Sequence, residues 1–188
     1  MRILLLMVLG VTSGLGVTVA RAHEVDLSFN SDAFRLNYAY TMPQRSLRAE
    51  GGWLHNSDSG DALHAGLQLV SEATSGPDPV IAGIGGRILY YNGKRTTQDG
   101  LSLAVGGSLR YTIPAYNRFS VTGEAWFAPK VLSTIDAEQY RELAVRGSYN
   151  ITRQAEVYLG ARTVRGKFKR AENYHFDNGL HIGLNLRF

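Results

Sequence analysis

The last nine residues of the chain alternate without interruption. Leu180, Ile182, Leu184, Leu186 and Phe188 fall on one face, and His181, Gly183, Asn185 and Arg187 on the other. Chain ends usually fray and tolerate change, so a period-two apolar face held to the final residue predicts a strand that is paired at that end. One apolar and one polar face suit closure of a transmembrane β-barrel, in which one side meets lipid and the other a polar lumen.

The opposite end agrees. Arg2 supplies a positive start, residues 3–19 are apolar or small, and Ala20-Arg21-Ala22 gives the small-x-small pattern that signal peptidase accepts. The expectation is a cleaved signal peptide over residues 1–22 and one domain over 23–188, exported to the bacterial outer membrane. The other reading of this end is a membrane-spanning helix, against which Gly14 and Gly16 interrupt an already short run. No later stretch reaches the roughly 18 apolar residues that a spanning helix needs. A mature chain that crosses a membrane must therefore do so as a closed barrel.

Composition fits that class. The mean hydropathy of -0.14 is what a wall with half its positions facing a polar interior gives. The chain has no cysteine, which removes disulfides, thiol nucleophiles and thiolate metal sites. Losing Arg2 and Arg21 with the leader lowers the formal charge from +4 to +2, too little to indicate nucleic acid.

Ten strands are predicted as an antiparallel up-and-down barrel, with eight as the alternative if the first hairpin is not separate wall. Their apolar faces begin with Val25, Leu27 and Phe29, then Phe34, Leu36, Tyr38 and Tyr40, then Leu47, Ala49, Gly51 and Trp53. Later ones centre on Leu63–Leu69, Val80–Tyr90, Leu101–Tyr111, Phe119–Phe127, Leu143–Tyr149, Val157–Ala161 and the terminal strand. Between them lie turn formers such as Asn30-Ser31-Asp32 and Asn56 to Asp61. Connections at 42–45, 73–78, 113–118 and 150–154 are short, whereas 92–100, 128–139 and 165–179 are longer. Short periplasmic turns alternating with longer external loops are a property of outer-membrane barrels.

A soluble lipocalin-like barrel shares this periodicity, with the faces exchanged. Small residues on the polar faces, including Gly52, Gly66, Gly83, Gly85, Ala104, Gly106, Ala144 and Gly160, favour a narrow lumen that must hold arginines. Tyr38, Tyr40, Trp53, Tyr90, Tyr91, Tyr111, Trp126 and Tyr149 cluster near strand ends and are expected to form interfacial girdles.

The spacing Gly183, Leu186, Phe188 resembles the C-terminal assembly signal of outer-membrane proteins, which implies the barrel-assembly machinery as a partner during insertion. The mature chain as a whole resembles the YfaZ family of small enterobacterial outer-membrane proteins. The resemblance is carried by His23 to Phe29, Gly52-Trp53-Leu54-His55-Asn56-Ser57-Asp58-Ser59-Gly60-Asp61, Gly85-Gly86-Arg87-Ile88-Leu89-Tyr90-Tyr91-Asn92, Gly123-Glu124-Ala125-Trp126-Phe127-Ala128-Pro129 and the terminal strand. It implies an outer-membrane barrel and brings no catalytic residues with it. The chain departs from the family in a longer, more basic last loop.

The strand faces direct Arg35, Arg48, Glu50, Arg87, Arg110, Glu124, Glu142, Arg146, Glu156, Arg162 and Arg187 into the lumen. Unpaired charges there are costly, so an ion-paired network is expected. Such a network either fills and fixes the barrel as a structural membrane component or lines a narrow, porin-like passive pore favouring anions. In the last loop Arg165, Lys167, Lys169 and Arg170 interleave with Phe168, Tyr174 and Phe176, a candidate contact for lipopolysaccharide phosphates with the aromatics at the interface.

The competing class is a surface enzyme acting on lipid A or peptides. Its best pair is His175 and Asp177 on one strand face, with Asp136 or Ser133 nearby; chance explains such spacing better, and no catalytic residue is assigned. His64 and His181 are expected in the lumen, and His55 at a strand end. The Asn56 to Asp61 turn faintly resembles a calcium loop but lacks its distal glutamate. Neither metal nor cofactor is expected.

Overall fold

The computed structural model describes residues 23–42, 45–72, 80–95, 98–169 and 171–188, with no statement made about the side chains of 171–173. The predicted leader, the whole 73–78 turn, Pro43 and Gln44 of the 42–45 turn, and Arg170 lie outside the described residues.

Alternation organises the chain into β1 (His23–Phe29), β2 (Ala33–Met42), β3 (Leu47–Asn56), β4 (Gly60–Glu72), β5 (Val80–Gly93), β6 (Gln98–Thr112) and β7 (Phe119–Ala128). These are followed by a short β8 (Ser133–Ile135), then β9 (Ala137–Asn150), β10 (Ala155–Phe168) and β11 (Ala171–Arg187). Neighbours pair antiparallel in the order β5-β4-β3-β2-β1-β11-β10-β9-β7-β6, and β5 also pairs with β6, which closes a ten-stranded wall. The first hairpin is therefore separate wall. β8 is a strap that pairs only with Gly100–Ser102 at one rim of β6.

Side chains set the tight turns. The Asn30 side-chain oxygen accepts from the backbone N–H of Asp32 (3.0 Å) and Ala33 (2.5 Å), fixing the β1–β2 turn. Asn56 does the same for Asp58 and Ser59, both at 2.9 Å, and Gly60 completes that turn at φ 112°, a conformation that disfavours a β-carbon. Thr152 caps the β9–β10 turn through the N–H groups of Gln154 and Ala155.

One row of paired residues measures the shear. It leaves Phe188 and passes through His23, Tyr40, Ala49, Leu67, Gly86, Val105, Phe127, Arg141 and Arg165, returning to β11 at His175. Discounting the register shift near Arg165, this is a shear of about 12, which in ten strands gives a tilt of about 40°. The row climbs from the end that carries His23 and Phe188 to the end that carries the prolonged hairpins, and short turns mark the former as periplasmic.

The outward face is apolar between the rims, with exposed Leu67, Ile84, Ile88, Val105, Leu109, Leu143, Leu159, Leu180 and Ile182. Val80 to Tyr90 along β5, tilted by about 40°, spans about 25 Å, the height of a lipid-facing band.

The three longer connections are not loops. Strands replace most of 92–100, 128–139 and 165–179, because β5, β6, β9, β10 and β11 continue above the lipid band. There the pattern inverts: on β10, Val164 and Phe168 are buried inside while Arg165 is exposed outside. Once the outer surface meets water instead of lipid, the polar residues move outward and the apolar ones inward.

Candidate functional site

Inward-facing side chains fill the barrel in two layers. The layer nearer the periplasm is charged. Arg35 on β2 reaches Glu142 on β9 at 2.6 Å, and Glu142 also accepts from the Tyr140 hydroxyl at 2.8 Å. The Arg87 Nε donates to Glu50, its guanidinium lies 3.8 Å from both Glu124 and Glu142, and its carbon sits 3.7 Å over the Trp126 ring. Arg146 pairs with Asp26 at 3.1 Å, and the Tyr158 hydroxyl donates to the same carboxylate at 2.8 Å. Arg162 holds Asp177 at 2.5 Å. Arg110 and Arg187 converge on Glu156, and Arg48 on Glu24 at 2.9 Å.

All eleven charged residues assigned to the lumen from sequence thus form ion pairs, in a central cluster around Arg87 and Glu142 and in two separate groups, Arg110–Glu156–Arg187 and Arg162–Asp177. Sequence reasoning missed the acids Glu24, Asp26 and Asp177. The first two were legible, since they alternate with Val25 and Leu27 on a strand already identified. His64 and His181 also point inward: their imidazoles pack against the space of Gly52 and Gly160, where a β-carbon at Gly160 would lie 2.8 Å from the His181 ring. Gly66 makes room in the same way, since a β-carbon there would lie 2.6 Å from the Arg87 Cγ.

The external layer is aromatic. The Tyr91 ring on β5 meets Phe176 on the diametrically placed β11 at 5.4 Å, Phe168 at 5.5 Å and Tyr140 at 5.6 Å. Tyr91, Phe168 and Phe176 are fully buried, and the Tyr91 hydroxyl bonds Ser102 at 2.9 Å. Within the charged layer a cavity of 20 Å³ borders Asp26, Arg35, Arg146 and Tyr158, room for about one water.

Several expectations are corrected. Tyr91 and Trp126 belong to the interior and not to a girdle. Phe168, Tyr174 and Phe176 face inward instead of the membrane interface. His175 and Asp177 do not share a face: the register moves from Arg165↔His175 to Val164↔Asp177, so Phe176 is an extra, bulged residue. His175 is exposed while Asp177 is buried on Arg162. Asp136 faces Lys169 at 3.7 Å, and Ser133 bonds Ser102; neither approaches a histidine. Within the suspected calcium turn, the Asn56 oxygen is engaged by the backbone, and one Asp61 oxygen by Trp53 Nε1 and His55 Nδ1.

Of the basic residues in the last hairpin, Arg165 is exposed, and its Nε donates to Thr163 at 3.2 Å. Lys167 lies 4.0 Å from Glu138, whose carboxyl is held below the usual range by a hydrogen bond from Lys130. Lys169 donates to the Ile135 carbonyl at 2.6 Å. At the C-terminus, Gly183 faces inward beside the Tyr158 ring. Leu186 faces out, and Phe188 is exposed and stacked on His23 at 5.7 Å.

A closed antiparallel wall with an apolar outer band and a charged interior is an integral outer-membrane β-barrel, either a narrow passive pore or a structural component of the envelope. The family model of the YfaZ precursor matches residues 3–188, and the chain belongs to the YfaZ family. The relative "Outer membrane protein YfaZ" of Escherichia coli (strain K12) is 32% identical over 144 residues, covering 76% of this chain and 75% of that protein. The protein is made as a precursor and resides in the outer membrane. Among solved structures, the NanC porin is 11% identical with a TM-score of 0.48, covering 89% of this chain and 100% of that one. The KdgM porin in complex with disordered oligogalacturonate is 10% identical with a TM-score of 0.46, covering 89% and 99%.

Proposed function

We propose that the protein is a sealed, non-catalytic structural barrel of the outer membrane, closed at rest by its own side chains. The observation that carries this reading is contact across the lumen, where Tyr91 meets Phe176 from strands on opposite sides of the barrel at 5.4 Å. Below that closure Arg35 and Glu142 bridge the interior again at 2.6 Å. A permeating ion would have to separate both, breaking a buried ion pair and a packed aromatic cluster together. The absence of a shared face for His175 and Asp177 supports the non-catalytic part of the reading.

A narrow pore is the second reading. The 20 Å³ cavity among Arg35, Arg146 and Asp26 favours it, since a shift of those arginines would enlarge an internal space that already exists. Conductance of refolded residues 23–188 in a planar bilayer separates the two. A sealed barrel inserts and stays silent. Reproducible unitary steps with anion preference, lost on neutralising Arg87 and Arg110, would establish the pore instead.

A further inference from the structure

The row that measures the shear also carries an unusual group of residues. From Tyr40 through Ala49, Leu67, Gly86 and Val105 to Phe127 its outward face is apolar or aromatic, and its last three members are Arg141, Arg165 and His175. All three are exposed, on the adjacent strands β9, β10 and β11. Arg141 and Arg165 are direct cross-strand partners. Like charges in that relation repel, and a strand pair normally avoids them.

Among the described residues no acid relieves the repulsion. Arg141 makes no hydrogen bond or ion pair among the described residues, and Arg165 has only the Thr163 hydroxyl. Arg141 is also the direct partner of Phe127, the exposed aromatic at the external edge of β7, which places the cations where the lipid band ends. Immediately beneath them the outer surface is concave. Gly123, Ala125 and Ala161 form its floor, and Leu109, Leu143 and Leu180 its sides. A β-carbon at Gly123 would meet nothing within 4 Å, so the hollow is open to the bilayer.

We propose that this face docks a phosphorylated lipid of the outer leaflet. The guanidinium groups of Arg141 and Arg165 clamp one phosphate, His175 adds a ring N–H, and an acyl chain lies in the small-residue hollow below. A phosphate between the two arginines converts a repulsive pair into two charge-assisted, bidentate contacts. The site is formed by neighbouring strands of the outer wall, so it stands whether or not the lumen conducts. It differs from a loop-borne basic cluster in that Lys169 is engaged with Ile135 and Asp136, while Arg141 and His175 take its place.

The test is native mass spectrometry of the refolded barrel extracted from phosphatidylcholine nanodiscs doped with diphosphorylated lipid A. The wild type should retain one lipid adduct, and Arg141→Gln/Arg165→Gln should reduce its occupancy about tenfold. The double variant should be at least as stable in lipid-free detergent, because it removes a repulsion, so a loss of adduct cannot be put down to misfolding. Arg141→Lys/Arg165→Lys should retain part of the adduct, and Arg95→Gln, a cation elsewhere on the external rim, all of it. Equal retention by the wild type and the double Gln variant would overturn the proposal. So would equal retention of dephosphorylated lipid A, or displacement of the adduct by inorganic phosphate at matched concentration, which would mark a free-anion site.

Discussion

Glu142 is the residue on which the interior depends most, and its removal gives the sharpest test of the ion-paired network. It is 1% exposed, accepts from Arg35 and Tyr140, and faces Arg87 at 3.8 Å. Glu142→Ala strands the Arg35 guanidinium, itself only 5% exposed, whose other hydrogen bond among the described residues runs from Nε to the Asn37 side chain at 3.2 Å. Removing one partner of such a buried pair costs about 3–5 kcal/mol. Replacing both, as Arg35→Met/Glu142→Leu, removes the uncompensated charge and should recover at least about half of that loss, since apolar isosteres of a buried pair are often neutral. Urea unfolding of the refolded barrel in lipid vesicles, followed by tryptophan emission and by heat-dependent electrophoretic mobility, measures both variants. A single variant destabilised by less than about 1 kcal/mol, or a double variant no better than the single, would refute the reasoning that pairing governs the cost.

Other outcomes follow from the same geometry. Gly66→Val places a side chain against the Arg87 stem and the Gly86 carbonyl, and should cost about 1–3 kcal/mol in the same assay. Tyr91→Ala empties the centre of the aromatic layer and should cost about 3–5 kcal/mol, with the loss concentrated in hydrogen-exchange protection of the external ends of β5, β10 and β11. Deleting Phe188 should lower the amount of folded protein in the outer membrane of cells several-fold while leaving refolding into detergent nearly unchanged. Equal loss in both settings would mean that Phe188 acts through its stacking on His23 and not as an assembly signal.

The wall was legible in the sequence because lipid imposes one rule on every strand that crosses it. Outward residues are apolar and inward ones polar, and ten such segments with turn formers between them suffice to give strand number and face assignment. The arginines and glutamates of the interior follow from that parity alone. The external ends were not legible because the rule reverses above the bilayer. Phe168 on β10 and Tyr174 and Phe176 on β11 continue the inner faces of their strands, yet beside Arg165, Lys167 and Lys169 they resemble an irregular basic loop. The bulge at Phe176 hid Asp177 in another way, since one inserted residue shifts parity and separates it from His175. The Arg141–Arg165 pairing depends on register between distant segments, which periodicity within either strand does not report.

The closed interior is tested most directly by the solvent access of Trp126, which is 1% exposed and lies under Arg87 in the middle of the lumen. The chain has two tryptophans, so Trp53→Phe leaves Trp126 as the sole reporter. In vesicles, acrylamide added to the aqueous phase should quench it at least about tenfold less than in the urea-unfolded chain, as expected for a ring enclosed at native packing density. Quenching that approaches the unfolded value in the intact barrel would show a water-filled lumen and contradict the sealed account.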